Sequence, residues 1–314
     1  MSAVVDRAAI EAAAARIAPH VRRTPLWVLD SAVLGLPGPA YEVWLKLEQL
    51  QMSGSFKARG MFNRLLANTI PPAGVIAASG GNAGIATAAA ARALGVPAEI
   101  FLPSVSSPYK QARLAALGAK VVVAGEVYGD ALAASVARQR ETGALTTHAY
   151  DQPEVVAGAG TLAREIEQQQ GVPDRVLVSV GGGGLIGGIA AWFAGRSRVV
   201  ALEPEFAPTL HEARAAGAPV DVEVSGIAAD ALGARRLGAI AWGLVQAHVA
   251  EALLLTDAAI RAAQLALWQQ LQLAVEPAAA LPLAALRSGA VQPRAGEHIC
   301  LVVCGANLDP ATLV

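Results

Sequence analysis

The chain has 314 residues, which at about 150 residues per domain predicts two domains. It carries 24 lysines and arginines against 25 aspartates and glutamates, so it lacks the basic excess of a nucleic-acid-binding protein. Hydrophobic residues make up 54% of the chain, which excludes disorder. Two cysteines exclude a disulfide scaffold, and an N-terminus with Asp6 and Glu11 but no apolar segment is not a signal peptide. We expect a cytoplasmic protein.

The stretch 176–195 contains 20 residues without a charge and imitates a membrane span. It includes the glycines 181–184, and each glycine would weaken a helix by about 1 kcal/mol. We therefore predict a buried strand, a glycine loop and a buried helix here, and no contact with a membrane.

The predicted elements alternate between helix and strand along the chain. Helices are predicted over 6–20, 58–67, 82–94, 108–117, 129–141, 154–169, 186–194, 208–216, 233–249, 257–271 and 277–288. Strands are predicted over 41–47, 74–78, 98–102, 120–124, 175–180, 198–203, 252–255 and 298–303. This alternation predicts an α/β fold with parallel sheets, and a site in the cleft between two layers.

Two segments in the first half lie between a strand and a helix. In SGSFKARG (53–60), small and apolar residues flank Lys57. A desolvated lysine has a lowered pKa and can act as nucleophile or base, although a short segment of this kind, taken alone, more often holds a surface lysine in a loop. ASGGNAG (78–84) opens a helix whose free N–H groups attract a carboxylate, or it is a plain capped turn.

Two further segments follow buried strands in the second half. The glycines 181–184 allow a backbone to wrap closely around a phosphate, or they form a flexible turn. In CGAN (304–307), a thiol at the end of a strand points into the ligand crevice of an α/β sheet, or it is a small core residue.

The glycine segment also fits a dinucleotide-binding fingerprint. Gly182, Gly184 and Gly187 have the G-x-G-x-x-G spacing, and Glu203 ends the next strand, where it could bind a ribose hydroxyl. This alternative is a nicotinamide-dependent oxidoreductase. It leaves the Lys57 segment and the Asn82 loop without a role.

Together the four segments resemble the fold-type II pyridoxal-phosphate enzymes, and among them the serine/threonine dehydratases. SGSFKARG is similar to the family's lysine motif, ASGGNAG to its substrate-carboxylate loop, SVGGGGLIGG to its phosphate loop and CGAN to its C-terminal motif. The order and spacing agree, and RRTPL at 22–26 and IAADALGARRLG at 227–238 extend the resemblance over nearly the whole chain.

The resemblance implies two doubly wound, mostly parallel sheets, as in the tryptophan synthase β fold, with the cofactor in the interdomain cleft. It implies a large cofactor-binding domain of 1–41 and 148–314 and a small α/β domain of 42–147. Lys57 would be catalytic and carry pyridoxal 5'-phosphate as an imine. The cofactor would be bound by Phe56, Lys57, Asn82, Gly181, Gly182, Gly183, Gly184, Leu185, Ala228 and Cys304. The substrate carboxylate would be bound by Ser79, Gly80, Gly81, Asn82 and Ala83.

Three positions refine the expected reaction. Cys304 would face the pyridine nitrogen, and a neutral thiol there favours prompt loss of a β-leaving group. Gly80 stands where related serine racemases carry a second serine, so a one-base lyase fits better. Some relatives bind a divalent metal through a glutamate and an aspartate six residues later, and here Thr209 stands six residues after Glu203. We therefore expect no divalent metal site, while a site for a monovalent cation held by carbonyl oxygens is still open.

The predicted function is therefore a pyridoxal-phosphate-dependent L-threonine/L-serine dehydratase that releases a 2-oxo acid and ammonia, as a homodimer. Within the family, 3-hydroxyaspartate dehydratase, arylserine dehydratase and serine racemase are the alternatives. A non-catalytic cofactor-binding protein of the same fold is the third hypothesis, beside the oxidoreductase.

Overall fold

The computed structural model describes residues 5–106 and 108–313. Its strands are β1 Leu26–Asp30, β2 Glu42–Leu47, β3 Val75–Ala78, β4 Ala98–Leu102, β5 Lys120–Val123, β6 Leu145–Thr146, β7 Arg175–Ser179, β8 Arg198–Pro204, β9 Val249–Leu255 and β10 His298–Val303. Its helices are α1 Arg7–Ile17, α2 Lys57–Leu66, α3 Asn82–Ala93, α4 Pro108–Ala116, α5 Tyr128–Thr142, α6 Pro153–Gln170, α7 Gly184–Phe193, α8 Thr209–Ala216, α9 Ala229–Leu232, α10 Ala239–His248, α11 Asp257–Leu271 and α12 Pro277–Arg287.

The strands form two sheets. The larger one has the order β1-β2-β10-β7-β8-β9, and the smaller one has the order β5-β4-β3-β6. Every neighbouring pair of strands is parallel except β1 and β2. The predicted α/β fold with two mostly parallel, helix-flanked sheets is confirmed.

One buried strand and one buried helix account for the charge-free stretch 176–195. After Arg175, the residues of β7 are buried, as expected for a parallel strand covered on both faces, and all ten residues of α7 are buried. The prediction of strand, glycine loop and helix is confirmed. Within the described part of the chain, no helix is long and apolar enough to cross a membrane.

Some elements differ from the prediction. The helix expected over 233–249 begins only at Ala239, as α10, because the Asp151 carboxylate accepts hydrogen bonds from the N–H groups of Ala239 and Ile240 and so fixes the helix start. The short helix α9 ends before this segment and was not predicted. The strands β1 and β6 were not predicted. β6 has only two residues, and β1 is an edge strand with no fully buried residue.

The sheet pairing also bears on the domain division. The smaller sheet lies inside the segment 42–147, but β2, at the start of that segment, pairs with β10 in the larger sheet. This places residues 42–47 with the larger sheet, in contrast to the expected boundary at 42. The division into domains itself stays a prediction, and its outermost residues, 1–4 and 314, lie outside the described chain.

A buried ionic network joins α2 to the larger sheet and to α6. The Arg59 guanidinium donates to both oxygens of Glu48, at 2.7 and 2.8 Å, and Arg59 Nη1 lies 2.8 Å from Glu165 Oε1. Lys46 Nζ also donates to Glu165, at 2.8 Å. Burial opposes the ionisation of Glu48, yet the adjacent Arg59 holds the pKa of that carboxyl below its usual range. The network fixes the helix that begins with Lys57.

We predict that the Arg59→Ala variant loses about 3–5 kcal/mol of its free energy of unfolding, because Glu48 would remain buried without its cation. Urea unfolding of the cofactor-free protein measures this loss. The control is Lys120→Ala, which removes a 64% exposed partner of Glu99 and should change the midpoint little. Equal effects of the two substitutions would contradict the assigned importance of the network.

Candidate active site

The site lies where the carboxyl ends of strands from both sheets converge. In the larger sheet the chain turns from β7 toward β8 on one side, while β10 lies on the other, so a crevice opens between the ends of β7 and β10. In the smaller sheet β3 has the same position, between β4 and β6. The segments that follow these three strands surround one cavity with about 450 Å³ of empty space, including its opening to solvent.

Main-chain hydrogen bonds fix the loop before Lys57 against the end of β10. Phe56 N donates to Cys304 O at 3.0 Å, Ala306 N donates to Gly54 O at 2.9 Å, and Ser55 forms an antiparallel bridge with Gly305. The loop 53–56 therefore extends the sheet by a short strand-like contact. This contact places Lys57, at the start of α2, directly beside Cys304.

The Lys57 amine lies inside the cavity. Its Nζ donates to the main-chain oxygen of Ala149 at 2.6 Å and lies 5.0 Å from the centre of the Phe56 ring. Burial lowers the pKa of Lys57 to about 8, although the nearby Cys304 and Glu276 act in the opposite direction. At pH 7 about a tenth of this amine is unprotonated and nucleophilic, far more than for a lysine with the usual pKa of 10.5.

The four-glycine turn forms the opposite wall, and its shape requires glycine. A Cβ at Gly182 would overlap the ring of Tyr150, and one at Gly183 would lie 2.6 Å from Ala241 Cβ. Gly183 also has a φ of +87°. Within the described residues, no side chain caps the start of α7, so its first N–H groups face the cavity and attract an anion.

Asn82 lies at the start of α3 and faces the same cavity. Its Nδ2 donates to Glu276 at 2.8 and 3.0 Å, and its Oδ1 accepts from Asn307 Nδ2. In the part of the chain described, no side chain caps α3. Gly80 and Gly81 line a smaller cavity that adjoins Asn82 and Glu276. The start of α3 can therefore receive a carboxylate, while Glu276 supplies a buried acceptor.

Two buried acids and a thiol lie in or near the site, and burial raises the pKa of each. Burial raises the pKa of Glu276 to about 7, and it raises the pKa of the Cys304 thiol well above its usual range. Cys304 is therefore neutral. Burial also raises the pKa of Glu203 to about 7, but Glu203 has a different role.

Glu203 caps α8 and cannot bind a ribose. It accepts hydrogen bonds from Thr209 Oγ1 at 2.9 Å, Leu210 N at 2.7 Å and His211 N at 2.8 Å. Its side chain is fully buried, so no oxygen is left for a ligand. The role proposed for Glu203 in the oxidoreductase hypothesis is wrong, because the fold uses this carboxylate to start a helix.

The comparisons with known proteins agree with this geometry. Residues 17–305 match the family model of the pyridoxal-phosphate dependent enzymes. The chain belongs to this family.

Two relatives and two solved structures refine this assignment. The chain is 36% identical to the L-threonine ammonia-lyase of Geobacter sulfurreducens, over 97% of this chain and 76% of that protein. It is 36% identical to the phenylserine dehydratase of Ralstonia pickettii, over 98% and 94% of the two chains. A threonine deaminase from T.th. aligns with a TM-score of 0.87 at 35% identity, over 97% and 99% of the chains. Maize serine racemase aligns with a TM-score of 0.91 at 32% identity, over 99% and 96%. The chain is a member of the serine/threonine dehydratase group.

The site residues fit pyridoxal phosphate. The Lys57 amine can form an imine with the aldehyde, the uncapped start of α7 can hold the phosphate, and Phe56 offers an aromatic face. The expected residues Phe56, Lys57, Asn82, Gly181, Gly182, Gly183, Gly184, Leu185 and Cys304 all line the cavity.

One residue expected at the cofactor does not line the cavity, and some residues that line it were not predicted. Ala228 is buried, but the lining of this cavity within the described chain includes Ala231 and Leu232 from the following turn instead. Ser179, Tyr150 and Ala278 also line it and were not predicted. No local pattern marks Tyr150, since its ring enters the site only because the chain crosses there between the two sheets.

We predict that imine formation between cofactor-free protein and pyridoxal phosphate accelerates as pH rises, with a midpoint near 8, because only the neutral Lys57 amine attacks the aldehyde. An ordinary lysine, with a pKa of 10.5, would keep accelerating to a higher pH. Stopped-flow absorbance measures the rate, and the Lys57→Ala variant supplies the background from other amines. A midpoint above 10 would contradict the lowered pKa.

We predict that Gly182→Ala weakens the binding of pyridoxal phosphate at least about fivefold, because overpacking against Tyr150 costs about 1–3 kcal/mol and displaces the turn. Titration of the cofactor-free protein measures the dissociation constant. Gly243→Ala is the matched control, since a Cβ there meets no atom within 4 Å, and its cofactor affinity should not change. Unaltered affinity in Gly182→Ala would show that the turn does not hold the cofactor.

Proposed function

We propose that the protein is a pyridoxal-phosphate-dependent ammonia-lyase that converts L-threonine and L-serine to a 2-oxo acid and ammonia by α,β-elimination. One observation carries the proposal: the Lys57 amine, with a pKa lowered to about 8, shares a cavity with an uncapped glycine turn and the neutral Cys304 thiol. The names of the relatives, an L-threonine ammonia-lyase and a phenylserine dehydratase, support a dehydratase.

When bound, pyridoxal phosphate supplies the electron withdrawal that makes the α-proton of the amino acid acidic. The protein's own groups bind the substrate and transfer the proton. The N–H groups at the start of α3, in the loop 79–83, bind the substrate carboxylate and so orient the Cα–H bond. The Lys57 amine then accepts the α-proton, because a base with a pKa near the working pH is efficient.

Cys304 and Gly80 favour elimination over racemisation. The Cys304 thiol is neutral and carries no charge that would keep a heterocyclic nitrogen protonated, which limits delocalisation of the α-carbanion. Gly80 supplies no second acid or base, and a Cβ there would already lie 3.2 Å from Leu102 Cδ2 and 3.4 Å from Ser106 Oγ. Lys57 would then be the base that removes the α-proton, and that proton would leave with the β-hydroxyl as water.

The side chain of the preferred amino-acid substrate depends on the shape of the pocket around its β-carbon. A hydrophobic pocket discriminates a single methyl group by only about 1–3 kcal/mol, so we propose both serine and threonine as substrates. The similarity to a phenylserine dehydratase favours an arylserine as the second candidate. A monovalent cation held by main-chain oxygens, a homodimer and a cytoplasmic location are retained as predictions from the resemblance.

We predict that the protein releases 2-oxobutyrate from L-threonine and pyruvate from L-serine, and that Lys57→Ala abolishes this release while Lys120→Ala leaves it unchanged. A coupled assay for 2-oxo acids over a panel of β-hydroxy amino acids, including phenylserine and 3-hydroxyaspartate, measures it. D-Serine should not form from L-serine. A protein that binds pyridoxal phosphate but releases no 2-oxo acid from any member of the panel would overturn the proposal in favour of a non-catalytic binding protein.

A further inference from the structure

Glu276 is a buried carboxylate that lines the cavity beside Asn82 and Cys304. It precedes α12 and is 5% exposed. Its hydrogen-bond partner is Asn82 Nδ2, at 2.8 and 3.0 Å, and the main-chain N–H of Asn307 lies near enough to act against the rise of its pKa. A buried carboxylate costs free energy unless it is hydrogen-bonded, so these two contacts determine its position.

The contacts fix the orientation of the Asn82 amide. Asn307 Nδ2 donates to Asn82 Oδ1, and Asn82 Nδ2 faces the Glu276 carboxylate. The reversed amide would place an oxygen against a carboxylate and an NH₂ group against another NH₂ group. Asn82 Nδ2 contacts both oxygens of one Glu276 carboxylate, and these oxygens lie on the same side of the nitrogen. Because the two N–H bonds of an amide diverge, one of them can serve Glu276 while the other is directed away from it, toward the cavity.

These contacts also cross between the two halves of the site. Asn82 begins α3, beside the smaller sheet, whereas Glu276 begins α12 and Asn307 follows β10, beside the larger sheet. The same turn of α3 carries the loop for the substrate carboxylate. The charged or titratable groups near Glu276 include Lys57, Asp230 and Cys304, and Lys110 and Arg113 line the smaller cavity with it. Glu276 thus lies between the base and the amide.

We propose that Glu276 is a positioning residue, which holds the Asn82 amide across the cleft so that its free N–H binds the phenolic oxygen of pyridoxal phosphate. This inference rests on the proposed function. Glu276 acts through its acceptor oxygens rather than through its charge, because its hydrogen-bond partners are amide groups.

Two variants separate the acceptor from the charge. Glu276→Gln and Glu276→Met are both uncharged and have similar length, but only glutamine keeps an acceptor oxygen for Asn82. We expect Glu276→Met to weaken the binding of pyridoxal phosphate about tenfold, which corresponds to one net hydrogen bond of about 1–1.5 kcal/mol, and Glu276→Gln to stay within about threefold of the wild type. In an Asn82→Ala background the two substitutions should have equal effects.

The measurements are the dissociation constant of pyridoxal phosphate and the pH midpoint of its visible absorption change. Glu297→Gln is the matched control, because Glu297 is a buried carboxylate at the opposite end of β10, paired with Arg175, and should change neither quantity. Urea unfolding of each cofactor-free variant checks that it folds. If Glu276→Met does not fold, Glu276→Gln still tests the inference by itself.

Equal weakening by Glu276→Gln and Glu276→Met would overturn the inference, since the charge and not the acceptor would then matter. Unchanged affinity in Glu276→Met would overturn it as well, and so would independent effects of the Asn82 and Glu276 substitutions. The proposed function fails separately: there the wild type would not bind pyridoxal phosphate at Lys57, or would bind it and release no 2-oxo acid.

Discussion

The whole site depends on the contact between the loop 53–56 and the end of β10. Its hydrogen bonds are between main-chain groups, and they require glycine at 54 and 305, since a Cβ at either position would overlap Asn307 or Glu276. Because Lys57 follows this loop and Cys304 ends this strand, the amine and the thiol are placed together by the backbone. The apolar surroundings that this creates lower the pKa of Lys57. The position of Lys57 and its lowered pKa therefore both result from this main-chain contact.

Buried polar groups connect the two halves around this contact. Arg59 bridges Glu48 and Glu165 and anchors α2, while Glu276 and Asn307 hold Asn82 at the start of α3. Each of these side chains has a partner of complementary hydrogen-bonding type, which is the condition for burial of polar groups. The helices that begin with Lys57 and Asn82 are thus fixed to the larger sheet at separate points.

A helix start without a side-chain cap is not rare in the described part of this chain, since α6 and α12 begin with proline and have none, but at α3 and α7 the missing cap coincides with a glycine-rich loop at the cavity. Asp6 caps α1, Thr256 caps α11, and Glu203 satisfies the start of α8 with its carboxylate. Within the described residues, α3 and α7 begin without a side-chain cap, and both face the cavity. Anionic groups of a ligand can therefore complete these two helix starts, which explains why glycine is found there instead of a capping residue.

The sequence alone determined the order of most strands and helices and the family, and it predicted the cavity-lining residues Lys57, Asn82, Cys304 and the glycines 181–184, because each belongs to a local pattern of glycines, small residues or buried strands. Only the tertiary structure decided which carboxylate lines the cavity. Glu203 and Glu276 both follow hydrophobic segments, yet Glu203 caps a helix and Glu276 faces Asn82. The difference arises from contacts between residues distant in sequence, such as the 194 positions that separate Asn82 from Glu276, and no local spacing encodes them.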